Sequence, residues 1–189
     1  QEIEGLEAGE IYTYQYWVSD LSPVDESPSL VKTADPFSTM VLSPFDDPWI
    51  PETSYPNLPE YPYDFGIERE VTVLKTGQES YNWQVEDFEK PKEEDLIIYE
   101  VLIRDFDSER TFQNLIDRID YFKDLNINAI ELMPVMEYEG NESWGYNTAF
   151  HMSVDKFYGP EEKLKEFIDL CHQNGIAVIF DLVMNHVMG

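Results

Sequence analysis

The chain has 189 residues, 42% hydrophobic and 14% aromatic, which is ample for a packed core and excludes disorder over most of its length. A formal charge of -27 and a pI near 4.1 repel nucleic acid and anionic membranes, while neutral ligands such as sugars and cations such as calcium remain acceptable. The single cysteine, Cys171, excludes an internal disulfide, and no apolar run approaches a membrane span.

From Ile11 to Val18 the sequence predicts one strand, with Tyr12, Tyr14, Tyr16 and Val18 on one face and Ile11, Thr13, Gln15 and Trp17 on the other. That face reads as the core side of an antiparallel sandwich, with a tyrosine platform for sugar rings as the sharper alternative. A strand so near Gln1 needs neighbours, which suggests that earlier strands of its domain are missing. The absence of an initial methionine is consistent with a removed leader. The acidic charge suits a halotolerant or an exported setting, and an exported one is preferred to a cytoplasmic one.

Prolines 36, 44, 48, 51, 56, 59 and 62 deny the next segment helices and central strands. Interleaved Phe37, Phe45, Trp49, Tyr55, Tyr61, Tyr63 and Phe65 make it too apolar for a free tether, so it is expected to pack irregularly along a domain surface, as far as Gly66. Strand-like pieces follow at Glu70–Thr76 and Tyr81–Phe88. The charged junction Lys90-Pro-Lys-Glu-Glu-Asp95 sets the expected boundary, dividing the chain into residues 1–92 and 93–189.

Beyond it the pattern changes. Leu96–Ile103 reads as a strand, followed by a polar turn in which Asp105 and Asp107 terminate it. Phe112, Leu115, Ile116, Ile119, Phe122 and Leu125 form one helical stripe, and Ala129–Met133 is a second strand ended by Pro134. A long connection without predicted regular structure runs to Gly159 and carries Trp144-Gly-Tyr146-Asn147. A helix then starts at Pro160, with Leu164, Phe167, Ile168 and Cys171 buried, His172 on the solvent side and Asn174-Gly175 closing it. Ile176–Phe180 is the third strand. Strand, helix, strand, helix, strand predicts parallel neighbours joined by right-handed crossovers.

Candidate site residues follow from that layout. A buried strand that ends in Asp181, Asn185 and His186 does so where its carboxyl end opens onto a site. The plainer alternative makes Asp181 a turn cap and the other two loop residues. The long connection leaves the second strand at the same rim, so Trp144 and Tyr146 line a pocket there or fold inward as core. His151, in that connection, and Glu131, in the second strand, read as structural.

Several of these pieces, in order, resemble the alpha-amylase superfamily of glycoside hydrolases and transglycosylases. They are Ile98-Tyr-Glu-Val, Arg104-Asp-Phe106, Glu131-Leu-Met-Pro134, Trp144-Gly-Tyr146-Asn147, Phe157-Tyr-Gly-Pro160, His172-Gln-Asn-Gly-Ile176 and Asp181-Leu-Val-Met-Asn185-His186. The resemblance runs from about Leu96 to Gly189. It implies an α/β fold: the first three strands of a (β/α)8 barrel, preceded by part of an all-β immunoglobulin-like sandwich, with Asp35-Pro36-Phe-Ser near the sandwich's end. A complete barrel takes about 250 residues, so a piece of a longer enzyme is expected. The resemblance implies retaining cleavage of alpha-glucans such as starch, glycogen or maltooligosaccharides, by a nucleophile and a general acid about 5 Å apart on later strands. None of the three family carboxylates is expected in this chain.

The same resemblance implies that His186 hydrogen-bonds a sugar hydroxyl, that Tyr146 stacks under the ring with Trp144 beside it, and that Asp181 is a buried orienting carboxylate. Asn185 would correspond to a calcium ligand found in many members. The expected partners are an alpha-glucan and the rest of the same enzyme chain. A branching or debranching enzyme is the alternative within the class, and a non-catalytic glucan-binding barrel protein the alternative outside it. An arginine two residues before an aspartate on the fourth strand would separate the last from the enzymes.

Overall fold

The computed structural model describes residues 3–21, 25–26, 28–63 and 69–188. Phe65 and Gly66, at the end of the proline-rich stretch, and Gly189 lie outside the described residues.

The N-terminal part forms two small antiparallel sheets. Strands β1 (Ile11–Tyr14), β4 (Val41–Leu42) and β5 (Val71–Lys75) pair in the order β1-β5-β4, while β2 (Tyr16–Ser19) pairs with β3 (Leu30–Thr33). The single strand expected over Ile11–Val18 is therefore two. It breaks at Gln15, whose side chain donates to the Glu70 carbonyl at 2.9 Å and lets the chain change partners. Nor is its tyrosine face a core face: Tyr16 is exposed and its neighbour Trp17 on the other face is 66% exposed. The Tyr14 and Tyr16 hydroxyls both donate to Asp35 Oδ2, at 2.9 and 3.2 Å, with the rings 71° apart, so they make an edge-on pair and not a flat platform. Beneath them Leu42, Val71 and Tyr61 form a small buried cluster. The proline-rich segment packs through Ser38, Ser43, Asp47 and Ser54, and leaves Phe37, Phe45 and Trp49 exposed.

The second half is a three-stranded parallel sheet. Its strands are β6 (Ile98–Val101), β7 (Ala129–Leu132) and β10 (Ala177–Phe180), with β7 in the middle and Ile98, Ala129 and Ala177 in register. Alternation sends Tyr99, Val101, Ile130, Leu132 and Val178 toward the helices, where they join the main core. Glu100 and Glu131, neighbours in register, face the other way.

The first strand is shorter than expected because the chain coils into α1 (Ile103–Phe106). Asp105 consequently sits on that helix paired with Arg104 at 2.7 Å instead of ending the strand, and Asp107 accepts from Arg118 Nε at 2.8 Å. The predicted single helix is two, α2 (Phe112–Asp117) and α3 (Ile119–Asp124), parted at Arg118 (φ -101°, ψ 12°) where the guanidinium is drawn to Asp107. Thr111 starts α2 by accepting from the Asn114 N–H at 3.2 Å. The apolar stripe survives the break. Phe122 is fully buried, stacked on Phe106 at 5.3 Å and edge-on to Tyr99 at 5.5 Å and Phe167 at 6.5 Å.

Helix α4 (Glu161–Gln173) begins one residue later than expected, with Pro160 as its cap residue. It ends in a Schellman arrangement: Gly175 N–H bonds the His172 carbonyl, and Ile176 N–H bonds the Cys171 carbonyl at 2.9 Å. Gly175 sits at φ 73°, which glycine adopts without strain, and so α4 turns directly into β10. The Tyr81–Phe88 piece is not a strand. It is an extended strap whose Gln84 and Val85 N–H groups are held by the buried Asp169 carboxylate of α4 at 3.0 and 3.1 Å. The ring of Phe88 stacks on His172 at 4.1 Å, so that histidine is half-buried under the strap, not on the solvent side, and burial lowers its pKa.

Phe122→Ala should remove the aromatic junction of α1, α3, α4 and β6. The expected cost is about 3–5 kcal/mol in urea unfolding, with Phe122→Leu much milder; equal, small losses for both would place the core elsewhere.

Candidate functional site

The connection after β7 is not irregular. Strands β8 (Met136–Tyr138) and β9 (Thr148–Val154) form a bulged antiparallel hairpin, followed by a 3-10 turn at Lys156–Tyr158. His151 lies on β9. Polar contacts brace the tip: Asn147 Nδ2 donates to the Glu139 carbonyl at 2.8 Å, Gly145 N–H donates to Ser143 Oγ at 2.9 Å, and Arg110 pairs with Glu142 at 2.6 Å. Gly145 has φ 90°, and a Cβ there would stand 2.5 Å from the Pro134 carbonyl oxygen. Only glycine lets the tip fold back onto the end of β7.

That fold-back presents Tyr146 to the end of β10. Its hydroxyl donates to Asp181 Oδ2 at 2.6 Å, and its backbone carbonyl lies 2.7 Å from His186 Nε2. A carbonyl can only accept, so Nε2 is the donor in this contact and Nδ1 takes no part in it. The Tyr146 phenol is pushed up to about 12, first by the Asp181 hydrogen bond and then by burial, with further repulsion from Asp181, Glu100 and Glu131. It stays neutral at ordinary pH.

The structure thus brings Tyr146, Asp181 and His186 together at the carboxyl ends of parallel strands. Trp144 stands two residues away on the same tip and is 59% exposed. Asp181 is half-buried, less enclosed than expected, because Tyr146 covers only one of its oxygens. Past Phe180 the chain leaves the extended form: Val183 is buried while Asn185 is exposed and does not share its surroundings. Among the described residues no group of three or more Asp, Glu, His and Cys side chains is arranged to hold a metal ion. Calcium takes about six to eight oxygens, so one exposed amide does not fit it, and no step is routed through the metal.

One charged group escaped the sequence reading. Lys156, 2% exposed, is bonded to Glu137 of β8 and lies 3.2 Å from Asp47 of the proline-rich segment. Asp155 beside them accepts from the Phe157 N–H at 2.9 Å and the Tyr138 N–H at 3.3 Å. Burial raises Glu137, and raises Asp155 well above the usual carboxylate range with help from Glu137. Burial alone would lower Lys156, but Glu137 and Asp47 override it and keep the ammonium charged. Nothing in the residue pattern announces this group, since Glu137 and Lys156 look like surface charges flanking a loop.

Parallel strands whose carboxyl ends bring a phenol, a carboxylate and an imidazole together have the layout on which α/β barrels build small-molecule sites. Residues 98–188 match the alpha-amylase family, catalytic domain, and this segment of the chain belongs to the alpha-amylase superfamily. The chain is 39% identical over 107 residues to the malto-oligosyltrehalose trehalohydrolase of Saccharolobus solfataricus, covering 57% of this chain and 19% of that protein. It is 34% identical over 139 residues to the 1,4-alpha-glucan branching enzyme GlgB of Halothermothrix orenii, covering 66% of this chain and 22% of that one. The chain therefore spans about a fifth of the length of these relatives. The catalytic module of the pneumococcal glycogen-degrading virulence factor SpuA shares the fold over 93% of this chain and 28% of its own, with a TM-score of 0.63 at 23% identity.

Two predictions follow from this geometry. Gly145→Ala should cost about 1–3 kcal/mol in denaturant unfolding and shift the Tyr146 amide signal, whereas Gly140→Ala, also at positive φ but with open space around it, should cost about 1 kcal/mol; equal effects would deny the close approach to Pro134. Separately, the melting temperature should be indifferent to millimolar calcium or to chelation. A clear rise with calcium would return Asn185 to the ligands.

Proposed function

We propose that residues 93–189 supply the sugar-binding side of a retaining, alpha-glucan-active glycoside hydrolase site, acting on starch, glycogen or maltooligosaccharides. The observation that carries this reading is the meeting of Tyr146, Asp181 and His186 at one rim of a superfamily barrel segment. In it the Tyr146 ring is an apolar floor for one pyranose, and Trp144 flanks the next position along the chain. His186 Nδ1 accepts from a sugar hydroxyl. Contacts of this kind that tighten as the ring flattens toward an oxocarbenium-like transition state raise turnover, while those equal in both states only tighten binding. Asp181 holds the Tyr146 hydroxyl and so fixes the ring plane. The nucleophile and general acid belong to later strands of the barrel, and none of the acids here takes their place.

Hydrolysis and transfer to a second sugar share this rim. A branching enzyme at 34% identity supports transfer as the second reading, since the acceptor is chosen by water exclusion around the later strands. The two N-terminal sheets belong, in this reading, to an immunoglobulin-like sandwich preceding the barrel, which the fold likeness over 93% of the chain supports.

The 189-residue chain should release no reducing ends from soluble starch but bind maltooligosaccharides, as measured by calorimetry. His186→Ala and Tyr146→Ala should each weaken that binding about tenfold or more, as expected for about 1.5–3 kcal/mol per contact. Robust turnover by this chain would sink the assignment of the reacting acids to later strands. Binding untouched by either substitution would move the sugar site away from this rim.

A further inference from the structure

The hairpin that presents the rim is gripped from outside the barrel. Near its tip, Asn141 Nδ2 donates to the Asp46 carbonyl at 2.9 Å. On β9, Ser153 Oγ donates to the Ser38 carbonyl at 2.8 Å. At its base, Lys156 Nζ stands 3.2 Å from Asp47 and also bonds Glu137 on the opposite leg. Two hydrogen bonds and one ion pair thus join the hairpin to residues 38–47, and two of the three contacts fall on the consecutive residues Asp46 and Asp47. The Asp47 carboxylate is itself fixed, accepting from the Ser43 N–H at 2.9 Å through its other oxygen. Except for the Asn141 contact, these groups are buried: Ser38, Asp47, Glu137, Ser153 and Lys156 are each at most 9% exposed.

We propose that Asp46 and Asp47 of the proline-rich segment are positioning residues for the sugar-binding rim, setting where the hairpin tip holds Tyr146 and His186 without touching the sugar. The chain of contacts is continuous. Asp47 fixes Lys156, Lys156 ties both hairpin legs, the braced tip places Tyr146, and Tyr146 holds Asp181 with its hydroxyl and His186 with its carbonyl. Charge-assisted and hydrogen-bonded contacts suit this task because they fix direction. The ligand identity rests on the function proposed above; the coupling does not.

The test uses the 189-residue chain and three substitutions. Asp47→Asn keeps the shape and the Ser43 contact but removes the charge, Asp47→Glu restores the charge, and Asn141→Ala releases the tip from Asp46. Hydrogen exchange of residues 141–148 should accelerate about tenfold in Asp47→Asn and Asn141→Ala while β7 and α4 stay protected. In the same variants the imidazole nitrogen signals of His186 should shift and maltooligosaccharide affinity should fall about fivefold or more. Asp47→Glu should recover much of both. If Asp47→Asn does not fold, Asn141→Ala carries the test alone, since it leaves the ion pair intact. Exchange that rises uniformly, or a tip and His186 signal that do not move, overturns the proposal. If exchange and the His186 signal move as expected but the unsubstituted chain binds no maltooligosaccharide, the coupling stands and the function reading fails.

Discussion

One ammonium group sets the terms for much of this structure. Lys156 lies almost wholly out of water, with Glu137 and Asp47 as its counter-charges and Asp155 close by. Desolvating an ammonium costs several kcal/mol, and the attraction of buried carboxylates offsets this only when the geometry is held. Replacing such a group by apolar side chains is often neutral in stability, so its presence is weak evidence that the fold needs it to stay folded. What it does impose is a relation between three stretches far apart in sequence. The proline-rich segment, the first leg of the hairpin and the turn after the second leg can satisfy the ammonium only in one mutual placement. The main core is an aromatic and aliphatic cluster around Phe122 and Phe167 that excludes water and reaches the root of the hairpin through Val135, Tyr138 and Tyr158.

At the rim itself one residue makes two of the connections, and the Met188 N–H adds another to the Thr148 carbonyl at 2.8 Å. Tyr146 reaches Asp181 through its side chain and His186 through its backbone, so the loop and the end of β10 are joined twice at one point. The carbonyl contact makes Nε2 the donor and leaves Nδ1 uninvolved in it. The hydroxyl contact raises the phenol's pKa, which keeps it neutral. Both consequences suit a ligand with many hydroxyls and no charge. An anionic ligand would meet Glu100, Glu131 and Asp181 on the same open face, in a chain whose acids outnumber its lysines and arginines 39 to 12.

The parts of this fold legible in the sequence are those where one signal dominates. Apolar runs marked β6, β7 and β10, although only the middle strand β7 is largely buried while Ile98 of β6 and Phe180 of β10 stay exposed, and the apolar spacing of α4 ends in an Asn-Gly pair that closes as a Schellman turn. Proximity of Tyr146 to His186 was implied by chain order alone, since consecutive strand ends share a rim. Polar alternation misled elsewhere. Tyr81–Phe88 alternates like a strand, yet its N–H groups are taken by the carboxylate of Asp169 and not by a neighbouring strand. Gln15 interrupts an otherwise good strand pattern because a side-chain amide can replace a ladder partner. The α2–α3 break at Arg118 lies within an unbroken apolar stripe, and only the distant Asp107 explains it.

The charged group at Lys156 was illegible for a deeper reason. Burial of an ion depends on partners that the local pattern does not contain, and Asp47, Glu137 and Lys156 each sit among residues that look solvated. In so acidic a chain cations are scarce, and their placement carries more information than the placement of any one acid. Of the cations here, Arg110 braces the hairpin tip through Glu142 and Lys156 braces its base through Glu137 and Asp47. The exposed Arg110 pair contributes little energy in water, while the enclosed pair is unscreened and unforgiving of displacement. Two cations acting at opposite ends of one hairpin, with unequal strength, make the base the fixed reference for the tip. In the function proposed above, that asymmetry gives the sugar-binding rim an anchored root and a more weakly held tip.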